Sequence, residues 1–384
     1  VQYSLKIFSF DVDQVSDRAY MARALKLARR GLYTTDPNPR VGCVLVHAGQ
    51  VVGEGWHQRA GDAHAEINAL RQAGDRAQGS TCYVTLEPCC HQGRTPPCTE
   101  ALIKSGVVRV VAAMEDPNPK VASQGLAQLR KAGLQVEYGL LQEEAQVLNR
   151  GFVQRLVQGR PWVRCKLAMS LDGATALASG ESRWITAPPA RRDVQRWRAQ
   201  SSAILTGIGT IIRDDPSLNV RYEELSGEVS LNFDRQPLRV ILDRKLVIPE
   251  SARLLSLPGQ VLIVCADASQ PKAEILRRMG AEVIEIPITQ QGLDLRAVMG
   301  ILTAREINEL QVECGARLAG SLLQAGLMDE LVLYIAPKIM GDAALGLLRL
   351  PSIQTMEDCV KVEIKEIRAV GRDWRLVAKI ATTK

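Results

Sequence analysis

Apolar positions along this chain follow two rhythms, a helical one near every third or fourth residue and a strand one at every second. Met21, Leu25 and Ala28 share one face of a segment that Ser16-Asp17 can cap, which predicts a helix running to Gly31. Val41 to Val46 and Val51 to Gly55 predict a hairpin across Ala48-Gly49-Gln50. A helix over His64 to Ala73 follows, then a strand over Thr81 to Leu86. Helices over Thr99 to Ser105 and Gly125 to Ala132 alternate with strands over Val107 to Ala113 and Leu134 to Tyr138. Alternation of this kind implies an α/β domain, a sheet covered by helices on both faces. Val1 to Val15 carries no such pattern and reads as a disordered lead-in.

The rhythm breaks between Gln154 and Pro161, where Gly159 and Pro161 punctuate a polar stretch that reads as a linker. A second α/β pattern starts at Trp162. Its strands are expected near Val163–Ala168, Ala203–Thr206, Leu238–Leu242, Val261–Cys265, Glu282–Ile286, Leu310–Glu313 and Leu331–Ile335. A hairpin of Val360–Arg368 with Trp374–Ile380, turning at Gly371-Arg372-Asp373, closes it. Two domains are therefore expected, 1–160 and 161–384, and a chain of 384 residues is long for one hydrophobic core.

Charge narrows the partners. The net charge is +6, with 19 Lys+Arg against 15 Asp+Glu in the first 160 residues and 29 against 27 in the rest. Positive charge is thus spread rather than clustered, which argues against nucleic acid as partner. Scattered arginines suit a small phosphorylated substrate. No apolar run reaches membrane length and no secretory segment opens the chain. Nine cysteines, an odd number, fit reduced thiols and a cytoplasmic location.

The densest chemistry lies in the first half. All four histidines fall between residues 47 and 91, beside the clustered Cys89, Cys90 and Cys98. His64-Ala65-Glu66 followed by Pro88-Cys89 and then Cys98 is a zinc-deaminase signature. One imidazole and two thiolates fill three tetrahedral positions on Zn²⁺ and leave the fourth to water. Glu66, not itself a ligand, can move protons between that water and a ring amino group. Two other readings compete: a closed zinc knot of Cys89, Cys90, His91 and Cys98, and ordinary buried cysteines. Neighbouring side chains on an extended segment point apart, so Cys89 and Cys90 are not expected on one metal. In the second half no Gly-x-Gly-x-x-Gly motif follows the first strand; Gly207-Ile208-Gly209-Thr210 alone is equally a tight strand–helix turn.

Eight residues separate Cys89 from Cys98, where deaminases commonly have two. This spacing, Pro37-Asn38-Pro39-Arg40-Val41-Gly42, and Thr85-Leu86-Glu87-Pro88-Cys89-Cys90-His91-Gln92-Gly93-Arg94-Thr95-Pro96-Pro97-Cys98 closely resemble the bifunctional deaminase–reductases of bacterial riboflavin biosynthesis. The resemblance continues through Lys166-Leu167-Ala168-Met169-Ser170-Leu171-Asp172-Gly173, Gly180 to Thr186, Asp214 to Leu218 with Arg221, and Val312-Glu313-Cys314-Gly315. It implies a cytidine-deaminase-like α/β/α domain followed by a dihydrofolate-reductase-like α/β domain. It implies zinc-dependent deamination of 2,5-diamino-6-ribosylamino-4(3H)-pyrimidinone 5′-phosphate, then NADPH reduction of the ribosyl group to ribityl. His64, Cys89 and Cys98 would hold zinc, with Glu66 as proton shuttle. Asn38, His57 and Arg94 would contact the deaminase substrate.

For the reductase the resemblance places Ala168, Trp184, Thr210, Asp214, Gly315, Ala316, Arg317, Leu318, Ala319, Gly320 and Ser321 at NADPH. It places Ser182, Arg198, Leu218, Arg221 and Glu313 at the substrate. Lys166, Asp214 and Glu313 are the candidates for polarising the sugar. Cys314 departs from the family's Glu-Gly-Gly and raises the question of how closely the backbone there can approach a phosphate. A homo-oligomer with no membrane partner is expected. The rivals are a single-function nucleoside or tRNA deaminase with an accessory domain, and a nucleic-acid-binding module with a structural zinc knot.

Overall fold

Ala48 and Gly49 adopt positive φ angles of 47° and 75°, the backbone of a tight two-residue hairpin. They join strands β1 (Gly42–His47) and β2 (Gln50–Trp56). Strands β3 (Thr81–Val84), β4 (Arg109–Ala112) and β5 (Gln135–Tyr138) complete a five-stranded sheet in the order β2-β1-β3-β4-β5. β1 pairs antiparallel with β2 and β3, whereas β3, β4 and β5 run parallel. This computed structural model describes residues 12–91, 97–118, 122–225, 235–351 and 353–381. The chain divides into two units, Val1–Val157 and Gln158–Lys384.

The first unit is an α/β/α sandwich, and strand alternation makes it so. Cys43, Leu45, Cys82, Val84 and Val110 point into one core with Ala65, Ala69, Leu102 and Leu126 from helices Ala65–Ala73, Cys98–Lys104 and Gln124–Lys131. Val44, Tyr83 and Val111, the residues in between, point into the other core with Met21 and Ala24 of helix Val12–Ala28 and Ala145 of helix Gln142–Leu148. Helix contact on β2 depends on missing side chains. A Cβ on Gly55 would lie 2.3 Å from the Ala65 carbonyl oxygen and 2.5 Å from the Ala69 nitrogen, and one on Gly53 would lie 2.3 Å from the Ala69 carbonyl oxygen.

Two details differ from the sequence reading. The first helix starts at Val12, inside the segment read as a lead-in; residues 1–11 lie outside the described set. Helix Arg150–Gln158 occupies the first half of the expected linker. Its Val153 packs against the core, and Gly159 at φ 67° ends it with Pro161 just beyond. Gln154, Arg155 and Gln158 made an amphipathic helix look like a polar linker.

The second unit has a nine-stranded sheet. Its strands are β6 (Trp162–Ser170), β8 (Ala203–Gly207), β9 (Leu238–Leu242), β10 (Val261–Cys265), β11 (Glu282–Glu285), β14 (Glu309–Glu313), β15 (Glu330–Ala336), β17 (Val362–Val370) and β18 (Asp373–Ile380). Short pairs form beside it: β7 (Ala174–Ala176) with β16 (Leu345–Gly346), and β12 (Ile288–Thr289) with β13 (Gly292–Leu293). The order is β11-β10-β9-β8-β14-β6-β15-β18-β17. It is parallel from β11 to β15 and antiparallel at β18 and β17. Helices Leu295–Ala304 and Ala316–Gln324 cover one face. Helices Pro188–Gln200, Ile208–Asp214 and Pro271–Arg278 cover the other. No helix among the described residues is long and apolar enough to cross a membrane.

Gly55→Ala forces the start of helix Ala65–Ala73 away from β2. We expect a loss of about 1–3 kcal/mol, the usual cost of overpacking. A denaturant titration followed by circular dichroism reads it. A midpoint equal to that of the unaltered chain would contradict this account of the packing.

Candidate functional site

His64 is the residue that begins helix Ala65–Ala73, and Cys98 is the first residue of helix Cys98–Lys104. Cys89 lies just past β3, and the Cys89 carbonyl accepts hydrogen bonds from the Thr99 nitrogen at 3.2 Å and the Thr99 hydroxyl at 3.3 Å. Those two bonds close the long excursion between the cysteines. The ligand atoms of His64, Cys89 and Cys98 lie within 4.8 Å of one another. His64 Nδ1 is 3.2 Å from Cys98 Sγ and 3.5 Å from Cys89 Sγ. Cys90 does not join the cluster, as expected for neighbours on an extended segment.

The donor set fits zinc. The hydrogen bond from Cys98, with further help from His64 and the Cys98 amide, pulls the Cys89 thiol down to about 4. Cys98, bonded to that thiolate and buried, is pushed up and keeps the proton. The Cys89 thiolate also raises His64. Zinc binding would therefore expel protons. Glu66 is only 3% exposed, and burial lifts its carboxyl to about 6 despite the His64 charge.

Two predicted substrate residues converge on the same place. His57 Nε2 is 3.1 Å from Asn38 Nδ2, and its Nδ1 is 3.2 Å from the Ala63 carbonyl oxygen. This pairing makes Nδ1 the protonated nitrogen, and burial lowers the pKa of the ring. The His57 and His64 rings meet edge to face at 5.5 Å. Arg94 lies outside the described residues. Sequence reasoning missed Glu87, which is 4% exposed. Its carboxylate accepts from the amides of Asp116 (3.0 Å), Ser123 (3.0 Å), Gly125 (2.8 Å) and Leu126 (3.3 Å), anchoring a loop and a helix start two residues from Cys89. Its only signal was a carboxylate at the end of an apolar strand.

In the second unit a cleft of about 1940 Å³ opens at the carboxyl ends of β6, β8, β9 and β14. Lys166 and Glu313 are register partners on adjacent parallel strands, which puts them side by side. Arg198 donates to Glu313 through two bonds of 2.7 and 2.8 Å and to the Asn219 carbonyl at 2.9 Å. Burial alone would raise the Glu313 carboxyl; Arg198, then Lys166, override it and hold it at about 2. Burial lowers Lys166, with Glu313 opposing and Arg198 assisting.

Ala168, Ser182, Trp184, Thr210, Asp214, Leu218 and Arg221 also line the cleft. Arg221 is paired with Glu224 at 2.5 Å, and Arg191 stacks on Trp184 at 4.4 Å. Asp215 and Leu218 hold positive φ angles of 40° and 47°, so the loop they share is strained beside the cleft.

The expected turn from Gly315 to Ser321 is the start of helix Ala316–Gln324, with Gly315 as its N-cap. Gly315, Ala316, Arg317, Leu318 and Ser321 border the cleft. Ala319 and Gly320 do not. Helical periodicity turns Ala319 into the core, and a Cβ on Gly320 would sit 2.1 Å from the Arg349 carbonyl oxygen. Cys314 packs on the core, and the N-cap is Gly315, where an added Cβ would meet open space. A helix start with free amides and a bare glycine fits an anionic cofactor.

Comparison with known proteins covers both units. The family described as cytidine and deoxycytidylate deaminase zinc-binding region matches residues 14–114. The RibD C-terminal domain matches residues 161–376. Riboflavin biosynthesis protein RibD of Escherichia coli (strain K12) is 50% identical over 364 residues, 94% of this chain and 98% of that protein. The structure of Acinetobacter baumannii RibD is similar with a TM-score of 0.89 and 43% identity, covering 96% of this chain and all (100%) of that one. A Thermotoga maritima diaminohydroxyphosphoribosylaminopyrimidine deaminase/5-amino-6-(5-phosphoribosylamino)uracil reductase matches with a TM-score of 0.83 and 30% identity, covering 96% of this chain and 100% of that one.

Cys89→Ser and Cys98→Ser should each purify without zinc, whereas Cys90→Ser should retain it. Metal analysis of the three proteins decides the point. Zinc lost from Cys90→Ser but kept in Cys89→Ser would reverse the ligand assignment.

Proposed function

The chain belongs to the RibD family of bifunctional riboflavin-biosynthesis enzymes, and from that premise we propose which of its residues carry each of the two reactions. Its first activity is a zinc-dependent pyrimidine deamination and its second an NADPH-dependent reduction. The reductase match over residues 161–376 leaves no room for a single-function deaminase with an accessory domain.

For deamination, His64, Cys89 and Cys98 would hold the zinc, which would supply Lewis-acid activation of water when bound. The observation that carries this reading is the convergence of those three ligand atoms within 4.8 Å beside a buried carboxyl. Glu66 takes a proton from the attacking water and returns it to the departing amino group. Its burial beside the ligand cluster keeps it close to that exchange. Asn38 and the neutral His57, beside His64, orient the pyrimidine, and Arg94 assists.

For reduction, NADPH when bound would supply the hydride. The ribose C1′–O4′ bond opens, C1′ gains hydrogen, and O4′ takes a proton. Glu313, held anionic by Arg198, can only accept hydrogen bonds and so grips the sugar hydroxyls. Lys166, whose ammonium is weakened by burial, is the proton donor, with Asp214 polarising the sugar. Ser182, Arg198, Leu218 and Arg221 shape the substrate side. Ala168, Trp184, Thr210, Asp214 and the Gly315–Leu318 start of the helix, with Ser321, hold the cofactor. The deaminase occupies residues 1–160 and the reductase 161–384; the enzyme works on its small phosphorylated pyrimidine in the cytoplasm.

A homo-oligomer is supported by the edge strand β17, where Val362, Ile364 and Ile367 are exposed beside exposed Trp374. Sedimentation of the full chain tests this, and a monomer at working concentration would contradict it.

Two substitutions separate the reactions. Glu66→Gln keeps zinc but lowers deamination by roughly 10²–10⁴-fold, the usual scale for losing a general acid–base. Asp214→Asn leaves deamination intact and lets 5-amino-6-ribosylaminouracil 5′-phosphate accumulate. Chromatography with mass detection follows both. Normal deamination by zinc-loaded Glu66→Gln, or normal ribityl product from Asp214→Asn, would refute the corresponding role.

A further inference from the structure

Lys166, Arg198 and Glu313 face the cleft, but what sets their positions lies beneath it. Helix Pro188–Gln200 carries Arg198 in its last turn, and its Asp193 and Trp197 lie one turn apart. Tyr334 of β15 is fully buried between them. Its hydroxyl donates to Asp193 Oδ2 at 2.7 Å and accepts from Trp197 Nε1 at 3.1 Å. Asp193 Oδ2 also accepts from Arg375 Nη1 at 2.6 Å. The Trp197 ring lies 4.4 Å from the Arg164 guanidinium and 5.2 Å from that of Arg375. Arg164, with no exposed side-chain surface, is bonded in turn to Glu330 at 2.6 Å and Glu309 at 2.9 Å.

The same tyrosine lies beneath a residue of the cleft, Lys166. Tyr334 pairs in register with Ala168, two residues beyond Lys166 on β6, so its ring lies on the sheet face that carries Lys166. The Lys166 ammonium is 5.8 Å from the centre of that ring, within cation–π range. A buried ionic network of this kind contributes little stability over an apolar core of the same shape. What it supplies is fixed geometry.

We propose that Tyr334 is a positioning residue for the reduction. Its hydroxyl fixes the helix that presents Arg198 to Glu313, and its ring seats the Lys166 ammonium beside the same carboxylate. This rests on the reading that Arg198, Lys166 and Glu313 hold the ribosyl group. Removing the hydroxyl loosens Arg198 and leaves Lys166 seated. Removing the ring releases both.

Steady-state reduction of 5-amino-6-ribosylaminouracil 5′-phosphate is measured for the full zinc-loaded chain, for Tyr334→Phe, Tyr334→Leu and Trp197→Phe, and for Arg198→Lys. Deaminase turnover in each preparation standardises the amount of intact protein. Tyr334→Phe should raise the pyrimidine KM by about three- to tenfold, the scale of one or two lost hydrogen bonds. Its NADPH KM and kcat should stay within about twofold, inside the spread of an unperturbed step. Tyr334→Leu should raise the same KM and also lower kcat. Should Tyr334→Phe not fold, Trp197→Phe removes the other hydrogen bond of that hydroxyl and carries the same expectation. A merely structural role would reduce the active fraction, lowering kcat with both KM values unchanged, and that result overturns the proposal. If Arg198→Lys raises the pyrimidine KM and Tyr334→Phe and Trp197→Phe do not, the proposal alone falls. If Arg198→Lys leaves that KM unchanged, the site reading fails and takes the proposal with it.

Discussion

The deaminase site depends on how closely one helix can lie on one strand. Gly53 and Gly55 leave β2 bare, and the backbone of helix Ala65–Ala73 fills the space that a Cβ would need. That contact fixes where the helix begins, and the beginning of the helix is the site. His64 precedes its first turn and Glu66 lies within it. The other wall is set by the Thr99 bonds to the Cys89 carbonyl and by Glu87, which ties four amides to the segment before Cys89. The ligands converge because two backbone segments are held at close range.

The reductase half solves a different problem. It keeps a lysine and a carboxylate on adjacent strands at the cleft. Register pairing puts Lys166 and Glu313 together. The two bonds from Arg198 keep Glu313 ionised in a site where burial favours the neutral acid. A carboxylate held ionised can only accept hydrogen bonds. The ion pairs behind them give geometry more than stability.

Much of this was legible in the sequence because the informative residues are local. His64-Ala65-Glu66 and Cys89 to Cys98 are short motifs, and the alternation of Cys43, Val44 and Leu45 between two cores follows directly from period-two patterning. What escaped is what joins distant segments. Glu87 meets Leu126, and Tyr334 meets Asp193 across 141 positions, and neither pairing leaves a local trace. The helix at Arg150–Gln158 was hidden by its polar residues, one of which, Gln154, is buried. Ala319 and Gly320, expected at the cofactor, lie off the cleft because a helix alternates its faces and buries them.

The central claim is that one chain deaminates first and reduces second, at separate sites. The most direct measurement is to incubate the zinc-loaded full chain with 2,5-diamino-6-ribosylamino-4(3H)-pyrimidinone 5′-phosphate, with and without NADPH, and identify the products by mass spectrometry. The account predicts the deaminated ribosyl compound alone without NADPH and its ribityl form with NADPH. A ribityl product that still carries the second ring amino group, or an unreduced ribosyl product in the presence of NADPH, would contradict it.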